Sequence, residues 1–225
     1  MPCDIGYKSF SRVQIPTPTP QEFKNKTEAP QVDAELMSRI GQDDPSFIEW
    51  MNELDSNSLL TLALNRALSK ITLLDGLSFS IGSSGNLEAR GTYLNVSTKR
   101  SLMDVTDRVS RRWQMEVLRI VAELLDFAVV ISETTQDGHV TIMLEAEKQS
   151  DAPVTEYLRI TSDPLNGSSM LFEHFASKKL LDTTRNKFLA LAEKLGVPII
   201  LGKTEERGSP IQGGSVHKGH LPEGS

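Results

Sequence analysis

His174 and Lys178 stand four residues apart, and Lys179, Asp182 and Arg185 follow closely. On one helix His174 and Lys178 share a face. An imidazole beside ammonium and guanidinium groups is the chemistry of an anion site. Glu173 and Asp182 dilute that charge, and a lone histidine does not by itself separate a ligand site from a solvated helix face. His174, Lys178, Asp182 and Arg185 are the small-ligand candidates, against a solvated face as the favoured reading.

A second group lies further upstream. Arg108, Arg112 and Arg119 fall on one helical stripe, a pattern that phosphates can bind. Yet Asp104 precedes Arg108 by four residues, Asp107 precedes Arg111 by four, and Glu116 follows Arg112 by four. Those are intrahelical ion-pair spacings, so an exposed, salt-bridged helix face is favoured. Trp113, the aromatic residue among these arginines, belongs to the apolar stripe, which leaves no exposed ring to stack a base. With 24 Lys+Arg against 30 Asp+Glu the net charge is -6, which argues against a nucleic-acid-coating protein.

Other constellations are weaker. His217 and His220 would need further ligands to hold zinc, and Cys3 is the single cysteine, so neither a metal nor a cofactor is expected. Residues 82–85, Gly-Ser-Ser-Gly, lead into a strand pattern and read as a hairpin turn. A phosphate cradle leads into a helix. No Gly-x-Ser-x-Gly elbow or His-Glu-x-x-His helix is present.

The elements that must position these groups follow from periodicity. Ile5, Tyr7, Val13 and Ile15 suggest a short strand, and the prolines of residues 16–30 suggest an extended linker. Three helical segments are expected over residues 32–40, 44–54 and 58–71. Asp44-Pro45 opens the second. Residues 77–81 and 87–93 alternate as a hairpin. Leu102, Val105, Val109, Trp113, Val117, Ile120, Val121 and Leu124 predict one long helix over residues 98–126. A second hairpin follows through Asp137-Gly138. The spacing then predicts a strand at residues 157–161, helices over 170–181 and 182–195 with Asp182 as a cap, and a short strand at 197–201.

The fold class expected is α+β: a ββαββ core over residues 77–147 with an antiparallel or mixed sheet and the long helix across it. An amino-terminal helical part (residues 32–71) and a βααβ part (residues 157–201) complete a single domain over residues 32–202. Residues 1–31 are read as a strand and linker, and residues 203–225 as a disordered tail. No apolar run approaches a membrane span and no secretory leader is recognisable, so a soluble, cytoplasmic protein is expected.

The function expected is a non-enzymatic protein-binding or assembly module, with a protein partner or a second copy of the chain. One route is pairing of the amino-terminal strand with a neighbour's sheet edge. The alternatives are an enzyme or small-ligand protein with a site assembled from distant residues, and a nucleic-acid-associated protein using the arginines of the long helix.

Overall fold

Aspartates open the first three helices. The computed structural model describes residues 6–16, 31–91, 96–136, 139–149 and 155–209. Asp33, Asp44 and Asp55 each accept a backbone N–H three residues on, at 2.9, 3.1 and 3.2 Å. Each satisfies an otherwise orphaned helical donor. The helices that follow are α1 (Ala34–Asp43), α2 (Pro45–Glu53) and α3 (Ser56–Leu68). Pro45 occupies the first turn of α2, where its missing N–H costs nothing.

The long apolar stripe forms α4 (Val96–Leu124). Val109, Trp113, Val117, Ile120 and Val121 are buried along it. Trp113 also donates its indole N–H to the Leu60 carbonyl of α3 at 3.3 Å, which satisfies the one polar atom of a buried ring.

The strands are β1 (Gly6–Gln14), β2 (Ser78–Ile81), β3 (Leu87–Arg90), β4 (Ala128–Gln136), β5 (His139–Lys148), β6 (Glu156–Ser162), β7 (Ser168–Phe175) and β8 (Ile200–Ser209). With α5 (Lys178–Lys194) they give an α+β fold. Six strands form an antiparallel sheet in the order β4-β5-β6-β7-β1-β8. Ile142, Leu144, Leu158, Ile160, Met170, Phe172 and Val13 bury one face, against which α4 and α5 pack. Phe172 meets Phe188 of α5 edge to face at 6.1 Å. The opposite face carries exposed Val130, Ser132, Glu147, Arg159 and Arg12.

Four expectations are corrected here. The first hairpin, β2–β3, is a sheet of its own and does not join the larger one. Residues 170–175 are strand, not helix. The residues buried on the helix side, Met170, Phe172 and Phe175, step by two and then by three. A bulge causes this: Tyr7 pairs with Phe175 but Ser9 with Phe172, so three β7 steps face two on β1. His174 takes the left-handed conformation at φ 65°, and the broken alternation imitates helical spacing. Helix α5 consequently starts at Lys178, capped by Ser177 rather than Asp182. The carboxy-terminal expectation also changes, because residues 203–209 continue β8, paired along β1. The rest of that tail, residues 210–225, lies outside the described residues. So do most of the proline-rich segment (residues 17–30), the Asp137-Gly138 turn, Cys3, His217 and His220.

Candidate functional site

Three of the four small-ligand candidates converge, around a residue that the sequence did not single out. Lys178 and Arg185 of α5 both donate to the Glu206 carboxylate of β8, at 2.8 and 2.7 Å. Arg185 also reaches Asp182 at 2.7 Å and the Ser9 hydroxyl of β1 at 3.1 Å. The hydrogen bond from Lys178, followed by that from Arg185, holds the Glu206 carboxyl below its usual range. Reciprocally, the Glu206 hydrogen bond raises Lys178. Two cations thus face two carboxylates, and the group ties β8 and β1 to α5. A shallow groove of about 190 Å³ lies beside it, lined by Tyr7, Lys8, Leu181 and Arg207 among others. His174 is elsewhere. It sits in the β7 bulge with its backbone against Gly6, so it does not share a helix face with Lys178. Only the pairing of residues 203–209 with β1 reveals Glu206, since no residue-type signal separates that segment from a solvated tail.

The arginines of α4 are placed differently from one another. Arg108 is exposed. Arg112 is buried at 6% exposure beside Glu116 at 1%. It donates through Nε and Nη2 to Glu116 at 3.1 and 2.7 Å, and through Nη1 to Glu133 of β4 at 2.5 Å. Arg119 pairs with Glu123 at 2.7 Å, and Glu123 also receives Arg66 of α3 at 2.9 Å. Burial pushes the Glu123 carboxyl up, but the hydrogen bonds from Arg66 and Arg119 outweigh it and leave the pKa lowered. The spacing foresaw the Arg112–Glu116 and Asp107–Arg111 pairs, the latter at 2.9 Å. It did not foresee burial of the first, because that depends on β4 folding back along α4.

The Gly82–Gly85 loop spends its amides on itself. Gly82 donates to the Asn86 carbonyl at 2.8 Å and Gly85 to the Gly82 carbonyl at 3.0 Å. Among the described residues no cluster of three or more His, Cys, Asp or Glu is arranged for a metal ion, and no helix is long and apolar enough to cross a membrane.

The two edges of the large sheet differ in kind. An edge strand presents unpaired N–H and C=O groups that can template another strand, and proteins blunt such edges with charges, bulges and covering elements. The β8 edge has these devices. It carries Lys203, Glu205, Glu206 and Arg207, and its register with β1 shifts between Ser11 and Val13. Its exposed apolar residues, Ile200 and Leu201, are confined to the first two positions. Among the described residues, the β4 edge has neither a bulge nor a charge on its open face. Its nine residues pair with β5 without a register shift. Its single charge, Glu133, stands on the helix side, in register with buried Ile142, where Arg112 pairs with it. Val130, at 67% exposure, is the most exposed large apolar side chain among the described residues. The amino-terminal strand cannot fill the docking role expected of it, because β1 is paired on both sides, to β7 and β8.

Comparison with protein-family models, with curated proteins and with solved structures finds no match for this chain.

Proposed function

We propose that this chain is a non-enzymatic protein-binding module that receives a partner's strand along β4. The observation that carries this reading is the contrast between the two edges. A regular, outwardly uncharged nine-residue edge is the template for strand addition, in which main-chain hydrogen bonds supply affinity and alternate side chains supply selectivity. The pairing of Lys178 and Arg185 with Glu206 and Asp182 supports the same reading, since it accounts for those charges without a ligand. So does the commitment of Arg112 to Glu116 and Glu133.

The test is affinity capture from the native cell extract with the full chain and with Val130→Lys. Val130 is exposed, so the substitution leaves the core intact and places a charge on the edge. A stoichiometric partner, either another protein or the untagged chain itself, is expected with the wild type and lost with Val130→Lys. Equal capture by both would remove β4 from the account.

A further inference from the structure

Resting on that reading, we propose that the strand received by β4 is β4 of a second copy, paired antiparallel about Ser132. The sequence of β4 is Ala-Val-Val-Ile-Ser-Glu-Thr-Thr-Gln, with Ser132 at its centre. Turned about Ser132, the strand matches its own full length. Val130 falls opposite Thr134 of the other copy, Val129 opposite Thr135, Ala128 opposite Gln136 and Ile131 opposite Glu133. β-branched pairs are favourable in an antiparallel ladder, and like charges directly opposite one another are unfavourable. In this register no two charges face each other, because Glu133 meets Ile131. Val130, the most exposed large apolar side chain among the described residues, gains a cross-strand neighbour on both copies at once.

The symmetry is closed, as an isologous contact requires. A twofold axis perpendicular to the sheet keeps both helix layers on one side and both polar faces on the other, so the ladder continues from one copy into the next. The β8 edge offers no equivalent. Turned about its centre, β8 would set Ile200 against Ser209 and Leu201 against Gly208, so neither of its exposed apolar side chains gains a β-branched or apolar neighbour.

The register is tested by a disulfide. In the full chain, Cys3→Ser removes the native thiol and Ser132→Cys places a thiol on the axis. Directly opposed strand residues lie within the roughly 4.4–6.8 Å Cα separation that a disulfide spans. Thr134→Cys in the same background is the control, because its two thiols would be offset by four residues, about 14 Å along the strand. Ser132 and Thr134 are both exposed, so neither change disturbs the core. Under mild oxidation Ser132→Cys is expected to give a chain-to-chain product at least about tenfold faster than Thr134→Cys, and light scattering of the unoxidised protein is expected to give twice the chain mass. Rapid linking by Thr134→Cys, or equal slow linking by both in a protein of dimeric mass, overturns the Ser132 register. A monomeric mass without linking overturns self-pairing. In that case a different captured protein lost with Val130→Lys leaves the strand-addition reading standing, and no captured partner removes both.

Discussion

Arg112 of α4 meets Glu133 of β4 on the helix side of the sheet, with the guanidinium Nη1 2.5 Å from the carboxylate. One buried guanidinium therefore does two things. It neutralises Glu116 in the interior, and it pairs with Glu133, the only charge of β4, which strand alternation places on the helix side opposite Ile142.

Arg112→Ala is expected to cost roughly 3–5 kcal/mol, because it strands a buried carboxylate. Glu116 has little else to turn to: its Oε2 is buried without a hydrogen bond, and Arg119 Nη1 is 3.8 Å away. The double change Arg112→Met with Glu116→Leu is expected to recover most of that loss, since apolar replacements of a buried pair are often neutral or better. Urea denaturation of the two variants checks both. A loss below about 1 kcal/mol for the single change would place this pair among solvated ones.

Falling and rising pH should act on different carboxyls. Asp44 is lowered to about 2 by hydrogen bonds from Lys187, Ser46 and the Phe47 N–H. Asp55, Asp163, Glu123 and Glu206 are also lowered. A depressed carboxyl stabilises the fold above its unfolded pKa and loses that contribution as pH falls through the folded one. Stability should therefore decline as pH drops below about 4 toward 2. Glu156 is the opposite case. Burial raises it above the usual carboxyl range, with Lys148 opposing, so the contribution of Glu156 is present below the unfolded pKa and lost as pH rises through the folded one. Glu156→Gln is expected to melt higher than the wild type at neutral pH and to match it in acid. A constant difference across thermal melts at several pH values would contradict this.

Gly6 and Gly76 offer a matched comparison. Both have positive φ, 89° and 79°. A Cβ on Gly76 meets nothing within 4 Å, whereas one on Gly6 would lie 2.8 Å from the Phe175 carbonyl oxygen and 3.2 Å from the His174 backbone. Gly76→Ala should cost only the conformational term, about 1 kcal/mol. Gly6→Ala should cost more than about 2 kcal/mol, because it also forces β1 away from the β7 bulge. Equal denaturation midpoints for the two would show that the bulge yields freely.

Sequence reading recovered what local periodicity controls. The stripe from Val109 to Val121 specified α4, and Asp44-Pro45 specified the start of α2. It failed where pairing overrides side-chain pattern. The bulge at His174 gave β7 a false helical spacing. Residues 203–209 bury no apolar side chain, and β8 exists there only because β1 supplies its hydrogen bonds. Of the charged candidates, Lys178, Asp182 and Arg185 were singled out together with His174 but divided between two expected helices, whereas one helix, α5, carries all three. Glu206, which joins two of them, required the fold. Pro198, which has no N–H for a ladder, points to a last strand that starts late or lies at an edge, and β8 starts at Ile200 and is an edge. The β4 edge was not legible, because strand order is a property of long-range pairing. That order moved the expected docking element from β1 to β4.

Amide hydrogen exchange along the sheet edges tests the central claim most directly. Alternate amides of an antiparallel edge strand point away from its one neighbour and stay unprotected until another strand arrives. In the full chain, exchange over residues 128–136 is expected to slow as protein concentration rises, while residues 200–209 stay unchanged and Val130→Lys abolishes the slowing. Exchange over residues 128–136 that is equally fast at every concentration, in wild type and variant alike, would contradict β4 as the edge that pairs.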